Sequence, residues 1–167
     1  LRGIGKPLGS PVVAQLPRLL SVAFLVLVIV AGFRGDQNPF KNIAPTAVWV
    51  AWWVGFAYLS GLLGNLWVLV NPWSALYAWA ESAWRRIAPS RRLGAGLILP
   101  RWLGRWPAVL LFTGFVSAEL IWPDSDTPAS LAQAALTYSL VTWSGMFLCG
   151  RHAWLRNGEC FSVVFGF

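Results

Sequence analysis

The chain has 167 residues, 57% of them hydrophobic and 11% charged, with a mean hydropathy of +0.59. An ordinary soluble domain carries about 25% charged residues, so this composition excludes a water-solvated globule of the usual kind and points to a single membrane-embedded domain. The formal charge of +7 would suit nucleic acid, but the basic residues flank apolar stretches, where they orient membrane helices, and no soluble basic domain remains to hold a duplex.

The first predicted span covers residues 17–33, rich in Leu, Val and Ile. Its charge-free part reaches about 22 Å, short of the roughly 30 Å hydrocarbon core, so Arg18 must snorkel or the helix must begin earlier. Pro17 suits a first helical turn. No small-x-small cleavage site follows Phe33, which favours an anchor over a secretory signal.

The second span, 46–70, lies in a stretch from 42 to 70 that contains no Asp, Glu, Lys, Arg or His. Pro45 and Thr46 can open it and Asn71-Pro72 can end it. Trp49, Trp52 and Trp53 have the place of an interfacial aromatic belt, or of residues packed between helices.

A basic connection follows over 73–105. Trp73, Leu76, Tyr77, Ala80, Trp84 and Ile87 recur at steps of three and four, an apolar stripe with Glu81, Ser82, Arg85 and Arg86 off it. That pattern predicts an amphipathic helix, either interfacial or packed on the bundle.

The third span is 106–122, interrupted by Glu119, and the fourth is 130–149, after the turn from Pro123 to Pro128. Backbone in lipid must satisfy itself within helices or closed barrels, and uninterrupted apolar runs exclude alternating barrel strands. The expectation is an all-α polytopic membrane bundle of about four transmembrane helices plus one interfacial helix. Small-residue pairs, Ala57 with Gly61 and Gly114 with Ala118, would let helices approach closely.

With the long connection inside, eleven basic residues fall on the inner side: Arg2, Lys6, Arg18, Arg85, Arg86, Arg91, Arg92, Arg101, Arg105, Arg151 and Arg156. Arg34 and Lys41 fall outside. This asymmetry predicts both ends of the segment cytoplasmic. The start at Leu1 and the apolar finish from Cys160 to Phe167 suggest a piece of a longer chain.

An ionisable residue inside a span is a functional hypothesis, which makes Glu119 the candidate catalytic residue. With Asp124 and Asp126 it forms an acidic mouth of oxygen ligands suited to a divalent metal, and Asp36 can join it. The competing reading is a solvated turn with ordinary capping chemistry. On the inner side Cys149, His152, Glu159 and Cys160 are close in sequence but match no established zinc spacing. Their bland reading is a buried Cys149 and an exposed pair of Glu159 with Arg156, one turn apart.

Several stretches carry a family likeness: Gly35 to Thr46, Leu69 to Trp73, Glu119 to Pro128, Tyr138 to Thr142 and Trp154 to Ser162. They resemble a bacterial polytopic membrane family described as fenitrothion hydrolase-like. The resemblance implies a longer protein in the bacterial inner membrane and hydrolysis of organophosphate triesters. The matching positions Asn38, Pro39, Asn71, Pro72, Glu119, Asp124, Asp126, Gly158 and Glu159 become candidate site residues. The alternative is a non-catalytic membrane subunit or scaffold, or part of a transporter, whose partners are the lipid bilayer and other membrane helices met through its 12 tryptophans.

Overall fold

The computed structural model describes residues 11–166, with side chains from residue 15 onward. Arg2, Lys6 and Phe167, which bear on the predicted orientation and chain end, lie outside the described residues. Among the described residues there are helices, turns and loops and no strand.

Helix α1 is Pro11–Arg34, 24 residues and about 36 Å long. It begins earlier than the predicted span and carries Pro17 inside it. The added length removes the shortfall that would have forced Arg18 to snorkel.

Helix α2 is Ile43–Leu63. Asn42 opens it by accepting the N–H of Ala44 at 2.9 Å, an N-cap placed ahead of the predicted start at 46. Its middle, Thr46–Gly55, is wound as a π-helix. The expected span does not run on to residue 70. The chain breaks at Gly64, whose φ of +91° suits glycine, and resumes as the short α3, Trp67–Val70. Continued as one helix, Phe56 and Trp67 would stand about 16 Å apart along the axis. Their rings are 5.6 Å apart, so α3 folds back beside the end of α2.

Asn71 then caps α4, Pro72–Ile87, through Ser74 N–H at 2.8 Å, with Pro72 in the first turn. Residues 88–100 form an irregular strap that leads through a short turn, Arg101–Leu103, into α5, Trp106–Leu120. α6 is Pro128–Cys149. Gly150, at φ +84°, separates it from α7, Arg151–Asn157, and Gly158-Glu159 separates α7 from α8, Cys160–Val164. The apolar C-terminal run is therefore folded into the core: Cys160, Phe161 and Phe165 are buried with Trp67, Trp73, Tyr77 and Met146.

The helices run alternately up and down. Gly32 near the end of α1 lies against Pro128 and Ala132 at the start of α6, while Gln15 accepts the Trp79 indole N–H of α4 at 3.3 Å. At the opposite end Gln37 donates to Gly32 O at 2.9 Å and accepts from Ala129 N–H at 3.1 Å, pinning α1 to α6. Trp49 Nε1 donates to Ser125 O at 3.0 Å, tying α2 to the turn between α5 and α6. Trp49, Trp52 and Trp53 all meet Phe115 of α5, so these tryptophans pack between helices. In α4 the apolar stripe divides: Trp73 and Tyr77 are buried in the core, whereas Trp84 and Ile87 emerge exposed.

Two segments, Gln15–Arg34 and Ile43–Leu63, are long and apolar enough to cross a membrane, and only 17% and 6% of their apolar windows are buried within the molecule. A core helix of a soluble protein would be mostly covered. Outward-facing Leu19, Leu27, Val30, Val50, Leu62, Leu110 and Leu140 leave an apolar surface of the kind that soluble monomers avoid.

The close helix approach occurs at neither predicted small-residue pair. A Cβ on Gly61 or Gly114 would meet nothing within 4 Å, whereas one on Gly32 would meet Pro128 O at 2.5 Å and Ala132 Cβ at 2.6 Å. Sequence spacing identifies small residues but not the face that a neighbour covers. Gly32→Val should therefore cost about 1–3 kcal/mol and lower the unfolding midpoint in detergent. Gly61→Ala should leave it unchanged or raise it; equal losses for the two variants would contradict the α1–α6 contact.

Candidate functional site: a caged carboxylate below an apolar cavity

Glu159 is completely buried, in the break between α7 and α8. It is the N-cap of α8, its carboxylate accepting Phe161 N–H at 3.2 Å and Ser162 N–H at 2.7 Å. Three more donors arrive from segments distant in sequence. Trp67 Nε1 and Asn71 Nδ2 donate to Oε2 at 3.1 and 3.2 Å, and the Tyr138 hydroxyl donates to Oε1. All five are neutral donors, one more than the roughly four lone-pair positions of a carboxylate, so Oε2, which receives three of them, is shared.

The break at Asn71 faces the break at Glu159. Asn71 caps α4 with its oxygen while its amide reaches Glu159 and, at 3.4 Å, Ser162 Oγ. Unpaired N–H groups at a helix start are costly when buried, and each break supplies the side chain that answers this cost. Around them the aromatic rings interlock: Trp52 to Phe161 at 4.6 Å, Trp73 to Tyr138 at 4.7 Å and Trp67 to Phe161 at 5.8 Å. Trp73 Nε1 is itself held by Ser139 Oγ at 2.7 Å. Cys160 Sγ lies 3.3 Å from the Tyr138 hydroxyl.

Above this cage lies a cavity of about 870 Å³ between α1, α2, α5 and α6. Trp52, Trp67, Trp73, Tyr138 and Phe161 belong to its lining, as do Gly114, Ala118 and Ala134. Leu16, Leu20 and Leu110 at its edges are exposed, so it opens sideways onto the apolar surface. Tyr138, Trp67 and Phe161 are shared by cavity and cage: each belongs to the cavity lining and donates to Glu159. The arrangement can grip an apolar body and present it with one fixed phenol.

Of the candidates read from sequence, Asn71 and Glu159 meet in this cage, whereas Glu119, Asp124 and Asp126 are not part of it. Glu119 is half-buried in the last turn of α5, and Asp124 and Asp126 are exposed in the following turn, where Asp124 O accepts Thr127 N–H at 3.1 Å. Asp36 accepts Asn38 N–H at 2.9 Å in a local turn. Among the described residues no three His, Cys, Asp or Glu side chains are grouped as metal ligands. Cys149 is half-buried and His152 exposed, apart from Glu159 and Cys160 in the core. The expected exposed pair is also corrected, since Arg156 is exposed and Glu159 is not.

Sequence pattern alone passes over Trp67 and Tyr138 and takes Asn71 for a helix stop. The available signal is the pair Asn71-Pro72 and Gly158-Glu159, each a chain break followed at once by a capping side chain inside apolar sequence. No family model, no curated protein and no solved structure matches the chain.

Glu159→Gln keeps the volume but turns an amide donor toward a ring of donors. It should destabilise by about 1–3 kcal/mol, and Tyr138→Phe by less. Because the two groups touch, their losses should fail to add in a double-mutant cycle read by thermal unfolding in detergent; strict additivity would show that the bond contributes nothing.

Proposed function

We propose that this chain is a four-span membrane module of the bacterial inner membrane, with both ends of the segment cytoplasmic, that holds a lipophilic molecule carrying a hydrogen-bonding head. The cavity supports this reading: it is of ligand size, walled by aromatic and aliphatic side chains, open toward the apolar flank, and carries the Tyr138 phenol fixed by Glu159. The helices α5 and α6, with Val109, Leu110, Leu140 and Val141 exposed, supply the third and fourth spans. The segregation of charge supports the orientation, since Arg85, Arg91, Arg92, Arg101 and Arg151 border one end of the bundle and Asp36, Asp124 and Asp126 stand at the other.

A hydrolytic reading is favoured by one observation. Ala118, Trp122 and Ser125 line the cavity and flank Glu119 and Asp124, so a lipophilic triester in the cavity would have carboxylates near its outer end. In that reading Glu119 would be the base toward an attacking water; Glu119, Asp124 and Asp126 are not grouped as a metal site.

Two variants separate binding from turnover. Gly114→Leu fills the cavity where a Cβ has open space, so the fold should persist while uptake of a fluorescent apolar probe by the purified protein falls at least tenfold. Unchanged uptake would exclude the cavity as the binding site. Glu119→Gln should abolish organophosphate turnover in the hydrolytic reading and leave probe uptake intact; a wild-type protein that binds the probe and turns over no ester selects the non-catalytic module.

A further inference from the structure

At the other end of the molecule, between α4, the 88–100 strap and the junction of α6 with α7, lies a second cavity of about 1080 Å³. Arg85, Arg91, Arg92, Arg101 and Arg151 line it, with His152, against a single carboxylate, Glu81. Glu81 is already engaged, 3.1 Å from Arg151 Nε. Arg91, Arg92 and Arg101 have no carboxylate partner among the described residues, so concentrated positive charge surrounds a space large enough for a polyatomic anion.

The strap that carries Arg91 and Arg92 and leads into Arg101 is built to stay in place. Ala95 N–H donates to Phe147 O and Leu97 N–H to Leu148 O, both at 2.8 Å, and Tyr77 donates to Leu93 O at 3.4 Å. Gly94, at φ +125°, passes so close to the end of α6 that an added Cβ would lie 2.7 Å from Phe147 O. The groove therefore has a fixed floor.

Leu97, Ile98 and Leu99 give it an apolar side, Ile98 being 90% exposed, and Trp102 and Ile87, 81% and 78% exposed, stand one residue from Arg101 and Arg86 in sequence. Guanidinium groups recognise phosphate by paired N–H donors, and a basic pocket bordered by interfacial aromatic and aliphatic side chains matches a head group whose acyl chains continue into the bilayer. A soluble anion would make no use of this apolar side.

We propose that this groove binds the phosphate head group of an anionic phospholipid, with Arg91, Arg92 and Arg101 on the phosphate and Ile98 and Trp102 against the chains. The site is separate from the lipophilic cavity and does not rest on that cavity's function.

The test uses the purified full chain in neutral detergent, with phosphatidylglycerol, phosphatidylcholine or inorganic phosphate added and binding read by native mass spectrometry and thermal shift. Phosphatidylglycerol should bind at least tenfold more tightly than phosphatidylcholine, and its binding should weaken as salt rises. The exposed triple substitution Arg91→Gln, Arg92→Gln, Arg101→Gln should remove that preference, while Arg34→Gln with Lys41→Gln at the opposite end should preserve it. Trp102→Ala should weaken phosphatidylglycerol binding and leave phosphate binding unchanged. Equal affinity for the two lipids, or full phosphatidylglycerol binding by the triple variant, overturns the site; inorganic phosphate binding as tightly as phosphatidylglycerol overturns the lipid assignment. Should the triple variant fold poorly, Arg101→Gln alone is measured in its place: a partial loss of phosphatidylglycerol binding supports the site, and an unchanged affinity overturns it.

Discussion

The carboxylate of Glu159 joins α3, the start of α4, α6 and α8 at one point, and the architecture depends on that junction. Each partner would otherwise bring its own unsatisfied donor into an apolar interior: the indole of Trp67, the amide of Asn71, the phenol of Tyr138 and the first N–H groups of α8. Burying such groups without acceptors is costly, and a carboxylate is a compact means of answering five of them together. The same chemistry makes the junction unforgiving, because loss of the acceptor strands donors on several elements at once.

The junction also explains how non-helical backbone sits deep in the bundle. Irregular chain in an apolar interior is tolerated where protein covers it, and broken helices whose ends face one another are a recurring way to place polar groups there. Here the two breaks cover each other, with interlocked Trp52, Trp67, Trp73 and Phe161 around them. The polar cluster is thereby held in place beside the side-opening cavity, and Tyr138, Trp67 and Phe161 are the parts of it that the cavity meets.

Helix class and the approximate positions of α1, α5 and α6 were legible in the sequence because long apolar runs bounded by Pro, Arg or Trp have few alternative structures. The break at Gly64 was not, since hydropathy stays high across it and a reversal within apolar sequence leaves no polar trace. Glu159 was misread for a related reason: beside Arg156 it has the spacing of an exposed ion pair, and only the fold of α8 into the core reveals its donors. Glu119 drew attention as the acid within a predicted span, yet a position one residue from the helix end lets it approach the surface. Charge inside an apolar segment marks a candidate; depth and partners decide its role, and both are tertiary properties.

The strap over residues 93–98 closes the last turn of α6 by donating to two carbonyls that helix geometry leaves open. Those carbonyls belong to the same rigid rod that bears Tyr138 about two and a half turns away. The strap is therefore seated on a helix backbone rather than hung as slack loop, and one helix carries both its anchoring carbonyls and the interior phenol.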